Sequence, residues 1–517
     1  MLFNSHIFLF AFLPVALGGY WWLRGRGLAR ASLGWLLLAS LAYYGWWEPR
    51  YLALILGSIG TNYALGRALE RRRGGRALVA TGVALNLAAL AWFKYAGWLL
   101  ETVRGLAGFD AHLGAIVLPL AISFFTFQQL SYLVDVHRGA PAEHDLLHFA
   151  LFVSFFPQLI AGPIVRQQEL APQFRAPAPP ASVRALLAAG LSLFLLGLFK
   201  KTVLADGVAA YATPVFEAAD RGATITFFES WGGALAYTFQ LYLDFSGYCD
   251  MAMGLAWCFG YRLPMNFDTP YQATGIIDFW RRWHLTLSRF LRDYLYIPLG
   301  GNRRGAPRHW LNLMLVMTLG GLWHGAGWNF ALWGFVHGLL LLVNLAWRRL
   351  RDRLSQRPPA AWEVTAGSLL TFALVVVARD LFRTDTLAGA MAMLRGAAGL
   401  EGAVLDARLA GTLGFLSPWV SFSGLHAGSF DLHGVPWLVG LWIVCRHLPE
   451  TPRLFAWTGL ALDPRSPGDG GDGIWRPGSG RLQAWRPDMR WALAVATLGA
   501  VAVVQLSRVM EFLYYRF

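Results

Sequence analysis

Two histidines, His284 and His324, stand 40 positions apart among aromatic, aliphatic and arginine residues. Imidazole both takes and gives up a proton near neutral pH, so either ring could serve a hydroxyl nucleophile as general base. His324 lies in MTLGGLWHGAGWNFALWGFVHG, residues 317–338, where Gly320, Gly321, Gly325 and Gly327 interrupt an apolar run. Irregular backbone at membrane depth is tolerated only when buried in protein or lining a wet cavity. An ionisable side chain at such a place is a functional candidate. The glycine frame would also let a substrate approach closely. A histidine on an apolar helix is otherwise a satisfied structural group, and His337, on the intact helix that follows, is read that way.

His284 belongs to IIDFWRRWHLTLSRFLRDYLYIPLGGNRRGAPR, residues 276–308. Its rings, from Phe279 and Trp280 to Tyr296, interleave with Arg281, Arg282, Arg289 and Arg292. A helix of this kind lies at the membrane interface, and that role alone explains most of the composition. A basic, aromatic rim also suits an anionic donor, such as a CoA pyrophosphate or a carrier-protein phosphopantetheine. Arg281, Arg282 and Trp283 are therefore candidates for donor binding, with Trp323 beside the other histidine. Asp244 and Asp250 fall in a third stretch, residues 237–271, hydrophobic enough to span. Each needs a partner, for example an arginine or histidine from another helix. Proton relay or substrate positioning explains them no better than orienting a loop or helix end. Gln128, Gln158, Pro157 and Pro163 form a weaker group, suggesting kinked helices around a polar cavity.

These groups require a membrane to hold them. Only 14% of the 517 residues are charged and 56% are hydrophobic, whereas soluble domains carry roughly 25% charged residues. Spans need about 20 mostly apolar residues. Candidates cover roughly 5–23, 32–47, 51–69, 76–100, 112–134, 146–162, 182–205, 228–260, 310–326, 328–347, 363–382, 434–447 and 489–506. Several are short or interrupted, so about 11–13 membrane segments are expected, in an all-α integral membrane fold with interfacial or re-entrant pieces. The N-terminal run has no basic region before it and no small-residue cleavage site, and reads as a retained first span. The chain reads as one membrane domain, residues 1–517, with its signature region near 112–350.

The net charge of +14 comes from short basic runs between apolar stretches, the pattern that fixes membrane orientation rather than one that binds nucleic acid. Arg24, Arg26 and Arg30 follow the first span, and Arg67, Arg71, Arg72, Arg73 and Arg76 follow the third. That alternation puts the N-terminus outside and the basic stretches 281–308 and 348–357 in the cytoplasm. The Pro-rich residues 171–181 are expected to be a loop, 463–488 a mobile cytoplasmic connection, and 383–433 a longer outward loop. Cys249, Cys258 and Cys445 show neither disulfide nor zinc spacing and read as buried apolar residues.

Taken together, RRWHLTLSRFLRDYLYIPLGG, GLWHGAGWNFALWG, DFSGY and the terminal FLYYRF resemble the membrane-bound O-acyltransferase (MBOAT) family, and within it the bacterial alginate O-acetylation membrane proteins. The resemblance runs from MLFNSHIFLF to the last residue. It implies a multi-helix fold with a central tunnel, open to the cytoplasm for the donor and outward for the acceptor. By its WHG context His324 corresponds to the family's essential histidine, and His284 to its second polar position. The implied activity is transfer of an acyl group to an extracytoplasmic partner acyltransferase or directly to a glycan, as in O-acetylation of an alginate-like exopolysaccharide at the bacterial inner membrane. One stretch departs from the pattern. VARDLFRTDT, residues 377–386, replaces a WVFFRA-like run, and Arg379 and Asp380 there put local packing or partner docking in doubt but not the tunnel centre.

The expected reaction is acyl transfer from a thioester, acetyl-CoA or an acyl carrier, to a hydroxyl, with His324 as base, His284 near the donor and Asp244 orienting an imidazole or the acceptor. No metal is required, and a covalent acyl-histidine stays open. A transporter or flippase without bond chemistry is the rival from another class, since broken helices and intramembrane charges suit it equally. A scaffold for polysaccharide export is a third reading.

Overall fold

The computed structural model describes the chain except residues 73–74, 109–113, 115, 177–181, 356, 424–429, 431–432, 456–457, 459–460, 464–484, 508–512 and 514–517. Helices make up nearly all of the ordered structure. Two short parallel pairs, Leu263–Pro264 with Ala461–Leu462 and Val404–Asp406 with Ser421–Ser423, are the strands among the described residues.

Among the described residues, four helices are long and apolar enough to cross a bilayer: Arg76–Ala107, Val183–Asp220, Trp328–Leu354 and Ala361–Arg383. Leu387–Ala397 and Met489–Val504 are shorter apolar helices. The other expected spans are helical too, but shorter or less apolar, as in Ala29–Gly45, Tyr51–Arg71 and Ile122–His137. The chain is a multi-pass membrane protein. Two stretches differ from expectation. Helix Gln167–Arg175 runs through Pro172, because Glu169 accepts from the Arg166 N–H at 2.9 Å and Leu170, Ala171 and Phe174 are buried. Residues 383–433 hold helix Leu387–Ala397 and a strand pair rather than an open loop. Of the stretch 463–488, only residues 463 and 485–488 are described, and the FLYYRF motif lies almost wholly outside the described residues.

At the centre stands Phe227–Cys258, a helix of 32 residues, about 48 Å long at 1.5 Å per residue. Glu229 accepts from the Thr226 N–H at 2.9 Å and caps its start, and almost every residue beyond is buried. It crosses Val183–Phe199 backbone to backbone. A Cβ on Gly197 would sit 2.6 Å from the Gly247 carbonyl oxygen, and one on Gly190 2.6 Å from that of Gly254. Small residues seven positions apart on both helices thus set the crossing, as between membrane helices generally.

That approach brings in a π-helical turn, Lys200–Ala205, of the kind that re-aims side chains. Lys200 reaches Asp250 at 2.8 Å and Glu450 at 3.3 Å, and Lys201 reaches Asp206 at 2.6 Å and Asp244 at 2.8 Å. The intramembrane acids are paired with lysines of one bulge, not with the arginine or histidine expected.

Helices Ala306–His324 and Trp328–Leu354 cross as tightly. A Cβ on Gly321 would lie 2.2 Å from the Phe330 carbonyl oxygen, and one on Gly334 2.3 Å from that of Met317. Gly321 thus admits the neighbouring helix, and Gly325 and Gly327 face its Phe330 ring. Gly334→Ala is expected to destabilise the protein by about 1–3 kcal/mol, since a well-packed contact must spread to take a methyl group. Thermal unfolding in detergent checks this, and an unchanged midpoint would contradict the crossing.

Candidate active site

His324 is the last residue of helix Ala306–His324, which stops because Gly325 and Gly327 are extended, with φ of −162° and −172°. The ring is 4% exposed. It packs against Trp323 at 4.9 Å, Phe382 at 5.3 Å and Trp333 at 5.4 Å between centroids. A helix end leaves carbonyls without intrahelical partners, and here another helix supplies them. The Tyr95 hydroxyl donates to the Leu322 carbonyl at 2.8 Å, and the Lys94 ammonium donates to that of Trp323. Both come from the π-helical turn Ala91–Tyr95. Lys94 also reaches the Ser123 hydroxyl at 3.3 Å. A lysine inside an apolar span was the available signal for this tie.

His284 caps the short helix Leu285–Leu291 in the left-handed region, with φ of +44°. A non-glycine residue held there is strained, and such residues gather at functional sites. Its Nδ1 lies 3.0 Å from the Asn266 side-chain oxygen, which also accepts from the Thr286 N–H and hydroxyl. An amide oxygen only accepts, so Nδ1 carries the proton of the neutral ring and Nε2 the lone pair. That Nε2 is buried with no hydrogen-bond partner among the described residues. The two histidine rings lie 6.3 Å apart, and Trp323 lies 6.1 Å from His284.

A cavity of about 20 Å³ opens off His324, lined by Trp283, Trp333, His337, Arg379 and Phe382 among others. That is room for about one water. The wet passage expected at His324 is therefore shut here to a pocket that holds no substrate. Beyond Phe382 lies a cavity of about 450 Å³, bounded by Gly327, Asn329, Arg383 and Asp385, and the Phe382 ring belongs to both walls. His337, read from sequence as structural, lines the histidine cavity. So does Arg379, which corrects the view that the departure at 377–386 leaves the centre untouched: Val375, Arg379 and Phe382 share one helix face at the spacing a helix repeats.

The basic segment forms a third cavity, of about 550 Å³, lined by Trp280, Arg281, Arg282, Arg289 and Arg292 with Asp268 and Asp278. Arg282 pairs with Asp278 at 2.9 Å, Arg289 with Glu169, and Arg292 with Asp293 at 2.6 Å. Burial pushes the Asp293 carboxyl up, but hydrogen bonds from Arg292 and Arg166 outweigh it and hold the group below its ordinary value. Arg281 is exposed and has no ion-pair partner among the described residues. The stacked rings Phe279 and Trp283, centroids 5.6 Å apart, line the histidine cavity, while Trp280, Arg281 and Arg282 between them in sequence line the basic pocket.

The structure thus gathers His284, His324, Trp283 and Trp323, with Arg281 and Arg282 at an adjoining pocket. It does not bring in Asp244, which stays in the lysine cluster, nor Gln128. Gln128 is buried on helix Ile122–His137, whose Phe127 ring stacks on Trp323 at 5.2 Å.

The family model described as MBOAT, membrane-bound O-acyltransferase family, matches residues 139–365. A peptidoglycan O-acetyltransferase of Helicobacter pylori is 41% identical over 438 residues, covering 78% of this chain and 81% of its own length. A probable alginate O-acetylase, AlgI, of Pseudomonas aeruginosa is 42% identical over 398 residues, 75% of this chain and 73% of its own. A teichoic acid D-alanyltransferase of Streptococcus thermophilus is 28% identical over 51% of this chain and 68% of its own.

Proposed function

Because the chain belongs to the membrane-bound O-acyltransferase family, we propose that it moves an acetyl group from a cytoplasmic thioester, acetyl-CoA or an acyl carrier, to a hydroxyl of an extracytoplasmic saccharide or partner acyltransferase. One observation carries the reading. His324, with the His284 ring 6.3 Å away, lines a small cavity whose Phe382 also walls a second pocket and whose Phe279 and Trp283 flank in sequence the Trp280–Arg282 run of the basic pocket. Relatives named for O-acetylation of peptidoglycan and of alginate support an acetyl group and a glycan hydroxyl.

In this reading the whole chain works as one unit in the bacterial inner membrane, among lipid, with its N-terminus and the Phe382 side outward. The basic pocket faces the cytoplasm, where Arg281 takes a donor phosphate and Trp280 and Trp283 flank the pantetheine arm. A hydroxyl is a poor nucleophile until its proton is taken during attack. His324 takes that proton. His284, its Nδ1–H fixed on Asn266, turns the Nε2 lone pair toward the same region and positions the donor end. Phe382 and Trp283 must swing aside for both substrates to meet, as gating elements of an enzyme do.

The test is purified full-length protein in vesicles given acetyl-labelled CoA outside and alginate oligosaccharides or peptidoglycan strands within. Label on saccharide ester together with free CoA thiol is expected. Passage of an intact acetyl donor or acetylated saccharide without bond exchange would instead make the protein a transporter.

A further inference from the structure

Arg379 is a cation in the wall of the His324 cavity to which the acyl-transfer reading assigns no task. It is 3% exposed. Its Nη1 donates to the Thr238 carbonyl at 2.9 Å and the Tyr271 hydroxyl at 2.5 Å. The guanidinium lies 4.5 Å from the Trp283 ring and 5.3 Å from that of Tyr271. No carboxylate stands within ion-pair distance of it among the described residues. Asp380, next in sequence, projects about 100° away around the helix, and its own carboxylate oxygens are buried without hydrogen bonds among the described residues.

The fork has five N–H donors. Nη1 spends both of its own, whereas Nε and Nη2 make no hydrogen bond among the described residues. A buried charge is ordinarily paired, and ring faces compensate a cation only in part. What is left is a guanidinium held firmly by one end, with three donors unspent, bordering the cavity beside His324. Such a group is complete only when an anion arrives.

We propose that Arg379 binds the oxyanion formed during transfer, an inference that rests on the role proposed for His324. The acceptor oxygen bonds to the thioester carbonyl carbon while its proton passes to His324. The carbonyl π pair moves onto oxygen, and that oxyanion faces Nε and Nη2 of Arg379. As the C=O re-forms, the C–S bond breaks, and the departing thiolate takes the proton back from the imidazolium. Donors already in place cost no reorganisation as charge develops, and losing one typically lowers kcat by about 10²–10³-fold. Tyr271 and Thr238 fix the cation in position.

The test compares wild type, Arg379→Gln, Arg379→Lys and Arg379→Ala in the vesicle assay, with melting curves for each. Arg379→Gln is expected to lower kcat by about 10²–10³-fold with little change in donor KM. Arg379→Lys should keep part of the rate. Millimolar guanidinium should raise the rate of Arg379→Ala roughly tenfold or more while leaving wild type unchanged, which a purely structural arginine would not allow. An active wild type with Arg379→Gln at full kcat, or a rate loss that tracks unfolding and resists guanidinium, overturns the inference and leaves the acyl-transfer reading standing. A wild type that transfers nothing overturns both.

Discussion

His324→Ala protein is expected to insert and fold, with a melting midpoint lowered by the cavity left behind, while acetyl transfer per folded molecule falls by about 10³-fold, within the range for loss of a general base. The frame that presents the ring is main chain and survives the change. Lys94 and Tyr95 bind the carbonyls of Trp323 and Leu322, and Gly321 and Gly334 set the helix crossing. Truncating the ring leaves a gap between Trp323, Trp333 and Phe382, which enlarges a cavity. Released CoA thiol and labelled ester measure the rate, and thermal melting reports the fold. Transfer at the wild-type rate from a folded variant would remove His324 from the chemistry.

Lys201→Met should do the reverse, harming stability far more than chemistry. Lys201 and Asp244 are 2% and 1% exposed, with Asp206 2.6 Å from the same ammonium. Removing the cation leaves buried carboxylates facing each other, which costs about 3–5 kcal/mol. The melting midpoint and the yield of folded protein should drop sharply, with kcat per folded molecule close to wild type. Adding Asp244→Asn should restore part of the loss, because one stranded charge is gone. A variant that melts normally but has lost transfer would return Asp244 to the reaction.

Much of the candidate site is legible because chemistry leaves compositional marks in a membrane chain. The glycine break around His324 and the arginine–aromatic run around His284 are conspicuous against an apolar background, and the fold joins them. The other signals are equally specific. A carboxylate in a span demands explanation, and for Asp244 the ion pair with Lys201 supplies one, about forty positions away at a π turn that periodicity does not reveal. His337 sits on an unbroken helix, so nothing local separates a packed imidazole from one bordering a cavity. Arg379 marks where this chain departs from the family pattern, but whether that face looked inward depended on how Ala361–Arg383 rotates against Phe227–Cys258. The glycines near His324 showed that something approaches, not whether it is a substrate or the backbone of Trp328–Leu354.

Closure of the histidine cavity, about 20 Å³ behind Phe382 and Trp283, makes the central claim sharply testable. A structure of the full chain with a non-hydrolysable thioether analogue of acetyl-CoA should show phosphates at Arg281, the arm threaded past Trp280 and Trp283, and the carbonyl between His324 and Arg379 with the aromatic layer parted. An analogue seated elsewhere, with that cavity still shut, would contradict the proposed meeting point of donor and acceptor.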